Sequence, residues 1–299
     1  MQSSLNVDLA NRPEKALTSR ISACRRRGEW QLALHLLWEA ETRTIRPNTF
    51  SHNAAISVCE GAREWQQAIS LFNVAAEEVA LDVISYNATI CACGRSTEWQ
   101  QALAILRLAK EELQPDVVTY NSTMKALEQA AEWSKALVLL GEMSGVGLPC
   151  DLISFNTGTS ACEKGGQWEQ AVSLLCLAGE SSLQADIISC SAVISACEKA
   201  AQWPQALAML RQVQLSSMEA DVITYCAAIS ACEKSAHWQT AMALLKDLED
   251  HMLKPSIVVI NAIISACGAA TEWRQALQQF VEARGRVLNP DVVTYAAAM

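Results

Sequence analysis

The sequence predicts an all-α fold, a right-handed alpha-alpha superhelix (solenoid) of helical hairpin repeats, and three observations support this prediction. Eight of the nine tryptophans recur at intervals of 34 or 35 residues, from Trp30 to Trp273. Apolar residues between them are spaced three or four apart, which is the stripe of an amphipathic helix. Small, polar and proline residues separate these stripes. A period this constant indicates stacked units, each of which packs only on its neighbours.

Eight repeat units follow from this period. A unit begins at an apolar pair, such as Val117 and Val118, and ends at the Asp, Asn or Ser before the next pair. The predicted units are residues 14–48, 49–82, 83–116, 117–151, 152–186, 187–221, 222–256 and 257–291. An N-terminal segment, residues 1–13, precedes them, and residues 292–299 begin a ninth unit that stops within a helix. Because that helix would lack a partner, we expect the chain to be part of a longer protein.

Two helices are predicted within each unit. In the first, apolar residues recur at places one, four, eight and eleven of the unit, as at Val222, Tyr225 and Ile229. The second begins at the tryptophan, because Pro204 directly follows Trp203 and proline is tolerated only in the first turn of a helix. We expect the tryptophan rings to pack in the core of the hairpins. Further prolines mark the junctions between units: Pro47, Pro115, Pro255 and Pro290.

The composition is that of a folded, acidic protein. Hydrophobic residues make up 51% of the chain and charged residues 18%, so apolar surface is available for a core. No apolar run is long enough to cross a membrane, and the first residues resemble neither a secretory signal nor an organelle transit peptide. The net charge of −9 argues against indiscriminate nucleic-acid binding, because phosphate contacts supply most of the non-specific affinity.

The twelve cysteines are expected to be free thiols, since the chain is long and begins without a secretory signal. Adjacent helices pack about 8–10 Å apart, whereas a disulfide needs Cα atoms within about 7 Å, so bridges between repeats are disfavoured. We interpret the cysteines on the apolar stripe as small buried filler rather than as metal ligands or redox groups. They recur at the eleventh place: Cys24, Cys59, Cys93, Cys162, Cys197, Cys232 and Cys267.

Segments such as DVVTYNSTMKALEQAAEWSKALVLLGEM (Asp116 to Met143) and DVITYCAAISACEKSAHWQTAMALL (Asp221 to Leu245) resemble the pentatricopeptide repeat family. The V-T-Y-N opening of the first helix and the P-D pair that closes a unit carry the resemblance, which extends over residues 14 to 299. This chain departs from the family in its recurring tryptophan, where a smaller aliphatic residue is more common. Tetratricopeptide repeats share only the period and the helix pair. The resemblance implies binding of single-stranded RNA along the concave surface of the first helices, one base per repeat.

The resemblance also implies which residues read the bases. In the family, the fifth and the last residue of each unit contact the base edge, and the N-terminal repeat reads the 5′ base. The corresponding pairs are Thr18 with Asn48, Asn53 with Asp82, Asn87 with Asp116, Asn121 with Asp151, Asn156 with Asp186, Ser191 with Asp221, Cys226 with Ser256, and Asn261 with Asp291. By resemblance, Thr/Asn favours adenine, Asn/Asp uracil and Ser/Asp guanine, while Cys/Ser matches no known pair. The implied target is 5′-A-U-U-U-U-G-N-U-3′.

Two further sets of contacts follow from the same resemblance. An apolar second residue would stack on the face of a base: Phe50, Ile84, Val118, Ile153, Ile188, Ile223 and Val258. A cation at the thirteenth place would meet phosphate: Arg26, Arg95, Lys164, Lys199 and Lys234. Cations also suit the C-terminus of a helix, and a glutamate precedes several of these positions, which would weaken the local positive field.

The asparagines are stronger evidence for base readout than the aspartates are. Asparagine is a mediocre helix former, yet it occupies the fifth place in five of the eight units, off the apolar stripe, where its amide can donate and accept hydrogen bonds. A solvated surface residue is the simpler alternative. Each aspartate directly precedes a predicted helix, so N-capping alone would account for it, and both roles can hold together.

These patterns predict a sequence-selective RNA-binding protein that acts by occupying its site. The alternative is a scaffold for protein partners, with an extended peptide in the same groove, and the acidic charge favours it. No metal-binding or phosphate-loop motif is present, so we expect no catalysis, no cofactor and no small-molecule substrate; an enzyme would need a domain beyond Met299. Family analogy points to RNA processing, stability or translation in a chloroplast or mitochondrion.

Overall fold

The computed structural model describes residues 13–42, 46–181, 183–216, 218–285 and 294–295. Within these residues the chain forms sixteen α-helices and no β-strand, which confirms the all-α prediction. The first helices of the hairpins are α1 (Pro13–Arg27), α3 (Thr49–Ala62), α5 (Val83–Arg95), α7 (Val117–Gln129), α9 (Leu152–Lys164), α11 (Ile187–Lys199), α13 (Val222–Lys234) and α15 (Ile257–Ala269). The second helices are α2 (Trp30–Thr42), α4 (Trp65–Glu78), α6 (Trp99–Glu112), α8 (Trp133–Gly145), α10 (Trp168–Glu180), α12 (Trp203–Leu215), α14 (Trp238–Asp250) and α16 (Trp273–Gly285).

The contacts divide the chain into an N-terminal unit, Met1–Cys150, and a C-terminal unit, Asp151–Met299. In each unit, adjacent first helices pack against one another. Each second helix contacts its own first helix and the first helix that follows it in the same unit. Every hairpin therefore buries its apolar stripes only against its neighbours, as in a solenoid of helical repeats.

A left-handed residue makes the turn between the two helices of each hairpin. It stands two residues before the tryptophan, and its φ is +67° at Gly166 and +55° at Ala201. At the turn that contains Ala201, the backbone N–H of Gln202 donates to the carbonyl oxygen of Cys197, and this hydrogen bond closes the end of the first helix. Only two of the eight turns have glycine there, so the others hold an L-residue in a costly conformation. The second helix then begins at the tryptophan, as Pro204 predicted.

The tryptophan rings do not lie in the core of the hairpins, where the sequence predicted them. Most are half-buried, and Trp273 is exposed. As the first residue of its helix, each ring lies at the rim of the hairpin, where it can contact the next repeat. Lys135 Nζ lies 4.3 Å from the centroid of the Trp99 ring, and the rings of Trp203 and His237 are 4.3 Å apart. In these two repeats the rings bridge neighbouring hairpins rather than filling the core.

The cysteines behave as predicted: all twelve are free, and the seven at the eleventh place are buried. Burial raises the pKa of Cys162 and Cys197 to about 11 and that of Cys93 to about 12. A buried thiol with so high a pKa carries almost no reactive thiolate at neutral pH. These residues therefore serve as apolar filler between first helices.

This arrangement predicts selective alkylation. Iodoacetamide at pH 8 is expected to modify the exposed Cys176 in the folded protein and to leave the eleventh-place cysteines intact until denaturant is added. Peptide mass spectrometry after timed labelling measures the order, and Cys176→Ser removes the early product. Labelling of Cys162 or Cys197 as fast as that of Cys176 would contradict the assigned burial.

None of the helices that the structure describes has both the length and the apolar composition needed to span a membrane.

Candidate nucleic-acid interface

The last residue of a repeat caps the first helix of the next repeat. Each of these residues has an extended backbone, and its side-chain oxygen accepts a hydrogen bond from the backbone N–H three residues later, for example 2.9 Å from Ser85 N to Asp82 Oδ1. The same cap is made by Asn48, Asp82, Asp116, Asp151, Asp186, Asp221 and Ser256. Asp291 lies outside the described residues. The N-capping role of these side chains, which the sequence analysis gave as an alternative, is therefore present in the structure.

Fifth-place amides bond to these caps. Asn53 Nδ2 donates to Asp82 Oδ1 at 2.9 Å, and Asn156 Nδ2 lies 3.3 and 3.2 Å from the two carboxylate oxygens of Asp186. Asn87 is likewise hydrogen-bonded to Asp116. The two members of a predicted readout pair are thus in direct contact in three repeats, although about thirty residues separate them in the chain.

The remaining pairs are arranged differently. Thr18 Oγ1 lies 3.1 Å from Ser51 Oγ, and Ser51 Oγ in turn donates to Asn48 Oδ1 at 3.0 Å. The Ser191 hydroxyl donates to the carbonyl oxygen of Ile188 at 2.9 Å, within its own helix. Cys226 is hydrogen-bonded to Ser230, also within its helix. Asn121 and Asp151 fall in different units, and each is half-buried.

The capping carboxylates are stabilised in their ionised form. Burial alone would raise the pKa of Asp82, Asp116 and Asp186, but hydrogen bonds from the Asn amide and from the Ser or Thr at the following third place outweigh it. The pKa of each carboxyl is therefore lowered below its usual value. At neutral pH these positions carry full negative charges beside helix N-termini, which favour them.

The amides lie at the edge of the packed layer. Asn53 and Asn261 are buried, whereas Asn87, Asn121 and Asn156 are half-buried. Part of the surface of each half-buried residue is accessible to solvent, although the amide oxygen of Asn87 is buried.

Exposed apolar residues recur at the second place of the first helices in each unit. All seven are 55–70% exposed: Phe50, Ile84, Val118, Ile153, Ile188, Ile223 and Val258. Isolated exposed apolar residues are ordinary, but one repeated at the same place in seven consecutive hairpins is not explained by packing. Each lies three residues before the fifth-place residue of its own repeat, as Phe50 does before Asn53, and residues three apart share one side of a helix.

The thirteenth-place cations are exposed, but several are already paired. The glutamate at the twelfth place of one repeat faces the cation at the thirteenth place of the next repeat. The pairs are Arg95 with Glu60, Lys199 with Glu163 and Lys234 with Glu198, each with 3.1 Å between nitrogen and oxygen. The positive field available to phosphate is accordingly smaller than the number of cations implies. The sequence had indicated a glutamate directly before three of the cations, Lys164, Lys199 and Lys234, but not that a glutamate pairs with the cation of the following repeat.

Third-place hydroxyls were overlooked in the sequence. Ser85 and Ser189 contact both the cap and the amide of the preceding repeat. The sequence does contain a pattern that could have identified them, because six of the eight units have Ser or Thr at the third place.

Within the described part of the chain, no group of three or more His, Cys, Asp and Glu side chains is arranged to hold a metal ion.

The comparisons with known proteins agree with this architecture. A family model described as the pentatricopeptide repeat domain matches residues 71–130 and 208–270, and a model described as the PPR repeat matches residues 118–148. No curated protein matches the chain.

Among solved structures, the crystal structure of the pentatricopeptide repeat protein PPR10 from maize is similar to this chain, with a TM-score of 0.72 and 22% sequence identity. The match covers 99% of this chain and 43% of the PPR10 chain, so the chain spans less than half the length of that protein. PPR10 in complex with an 18-nt psaJ RNA element gives a TM-score of 0.47 and 18% identity over 95% of this chain and 50% of that one. The family models thus place pentatricopeptide repeats at residues 71–148 and 208–270, and the fold of the chain is that of PPR10.

Proposed function

We propose that the chain binds single-stranded RNA on the exposed face of its first helices, with one base for each repeat. The observation that carries this proposal is the exposed apolar residue at the second place of seven repeats, three residues before the fifth place, where in three repeats an amide contacts a capping carboxylate. Apolar side chains at the spacing of the repeats suit the faces of unpaired bases, and amides beside them suit the polar base edges. PPR10, whose fold this chain shares, has been crystallised with an RNA element.

Stacking and base-edge contacts would supply most of the affinity. Because Arg95, Lys199 and Lys234 are paired with glutamates, fewer phosphate contacts are available than the five cations would give. A strongly acidic chain also repels RNA at long range. Binding that depends weakly on salt and strongly on base identity follows from this balance. The protein would act by occupying its site, and family resemblance alone extends the proposal to RNA processing in a chloroplast or mitochondrion.

The proposal is tested with the eight-base RNA 5′-A-U-U-U-U-G-N-U-3′ against a scrambled RNA of the same composition. The double variant Asn87→Thr/Asn121→Thr is expected to move the preference at the third and fourth bases from uracil to guanine, by on the order of tenfold for each base. Fluorescence anisotropy with 5′-A-U-G-G-U-G-N-U-3′ measures the change. The matched control is Asn73→Thr, an exposed asparagine on α4.

Two outcomes count against the proposal. Equal affinity for the target and the scrambled RNA would exclude base readout by this face. Binding of neither RNA at modest salt would leave the protein-scaffold alternative, in which the same face holds an extended peptide.

A further inference from the structure

Ser85 and Ser189 join the two members of a readout pair to each other. Ser85 Oγ lies 2.6 Å from Asn53 Oδ1 and 2.8 Å from Asp82 Oδ1, so its single proton is shared between the amide and the cap. In the C-terminal unit, Ser189 Oγ is hydrogen-bonded to Asn156 Oδ1 and lies 2.7 Å from Asp186 Oδ1. Both serines are buried, so neither can touch a ligand on the exposed face.

These contacts determine which way the amide points. An ionised carboxylate only accepts hydrogen bonds, so the side of the amide that faces Asp82 must be the Nδ2 group. Asn53 Oδ1 then faces Ser85, whose hydroxyl can donate to it. The amide is therefore held by one bond at its nitrogen and another at its oxygen. The Nδ2 group keeps a second hydrogen, which is a donor, for a further contact.

A threonine at the same place makes only one of the two contacts. Thr119 Oγ1 lies 2.8 Å from Asp116 Oδ1 and keeps the cap. Asn87 Oδ1 is buried and has no hydrogen-bond partner among the described residues, although the Asn87 amide is still bonded to Asp116. The branched threonine side chain has fewer rotamers with which to serve two acceptors. The Asn87 amide is thus held at its nitrogen alone.

We propose that the third-place residue of each repeat is a positioning residue that sets how strictly the preceding repeat discriminates uracil from cytosine. The inference rests on the proposed RNA binding. Uracil presents carbonyl oxygens, which a fixed N–H donor suits, whereas cytosine presents an amino group that needs an acceptor. An amide that can turn its oxygen outward accommodates cytosine. Serine at the third place fixes the donor outward, and threonine holds it less firmly.

The second and fifth bases are accordingly read more strictly than the third. Asn53 and Asn156 precede Ser85 and Ser189, whereas Asn87 precedes Thr119. All three pairs have the same Asn and Asp, so a rule based on the fifth and last residues alone makes them equivalent. The difference between them comes from the neighbouring repeat.

Three single substitutions in the full chain test the inference. Ser85→Thr and Ser189→Thr retain the hydroxyl that bonds to the cap but lose its contact with the amide, as Thr119 shows. Each is expected to lower the ratio of uracil to cytosine affinity at its own base, the second or the fifth, by on the order of fivefold, the effect of one hydrogen bond. Thr119→Ser is expected to raise that ratio at the third base by a similar factor, which a role in folding alone would not produce. Thermal unfolding verifies that the variants fold.

Thr224→Ser is the matched control. It makes the same change in the repeat that follows the one with Ser191 at its fifth place. Because Ser191 has no amide for the third-place residue to hold, selectivity at the sixth base is expected to stay constant. If wild-type protein prefers the target RNA but the uracil-to-cytosine ratios of all variants equal its own, the inference is wrong and the proposed function stands. If the wild-type protein binds no RNA, both are wrong.

Discussion

Replacing Ile153, Ile188 and Ile223 together with alanine is expected to weaken RNA binding by about a hundredfold, taking about 1 kcal/mol for each base that loses its apolar platform. These side chains are 63%, 63% and 70% exposed, so they contribute little to the packed layers of the C-terminal unit. Their loss should therefore leave the free energy of unfolding within about 0.5 kcal/mol of the wild-type value. Anisotropy with the eight-base RNA and urea denaturation of the same samples measure the two quantities.

The control for this triple variant removes an equal number of exposed apolar side chains from the second helices. Leu177, Leu215 and Leu277 are exposed in the same unit, and their replacement with alanine should leave RNA affinity unchanged. If both triple variants bind RNA as tightly as the wild type, the exposed row plays no part in binding. If both lose affinity equally, apolar surface in general, and not this face, is responsible.

Ile229→Ala is expected to lower the free energy of unfolding by about 2–5 kcal/mol, the cost of leaving a cavity in a well-packed core. Ile229 lies on the same helix as Ile223 but is fully buried, at 0% exposed against 70%. Urea denaturation followed by circular dichroism measures the loss. Because each repeat packs only on its neighbours, hydrogen exchange should locate the damage in α13 and the first helices on either side of it, α11 and α15.

Ile223→Ala provides the matched comparison, since it makes the same chemical change six residues earlier. It should weaken RNA binding and spare stability, while Ile229→Ala should destabilise α13 and the helices packed against it. Equal effects of the two variants on unfolding would mean that the side of α13 turned to the core has been assigned wrongly.

Much of the architecture follows from residues that are close together in the chain. The first helix is identified by the stripe of apolar residues at places one, four, eight and eleven of each unit, and Pro204 marks the start of a second helix. The aspartates that precede five of the first helices act as N-caps because the N–H groups that they satisfy are only three residues away. The eleventh-place cysteines are buried because they share the stripe.

The burial of the tryptophan rings could not be predicted from residues that are close together in the chain. A large aromatic residue at a regular place predicts a core position, yet the ring at the first position of a helix lies at the rim of the hairpin. Whether Trp99 is covered depends on Lys135 in the next repeat, and the ring of Trp203 depends on His237 in the same way. Periodicity locates such a residue along the helix but gives no information about what the neighbouring hairpin brings against it.

By itself, then, the sequence determined the repeat, the two helices of each hairpin, their caps and their buried stripe, because helix formation depends on residues within one or two turns of each other. Only the tertiary structure decided that Asn53 bonds to Asp82 and Ser85, and that Lys199 pairs with Glu163 rather than with its own neighbour Glu198. These partners are 29 to 36 residues apart, and it is the stacking distance between adjacent first helices that brings them within hydrogen-bonding range.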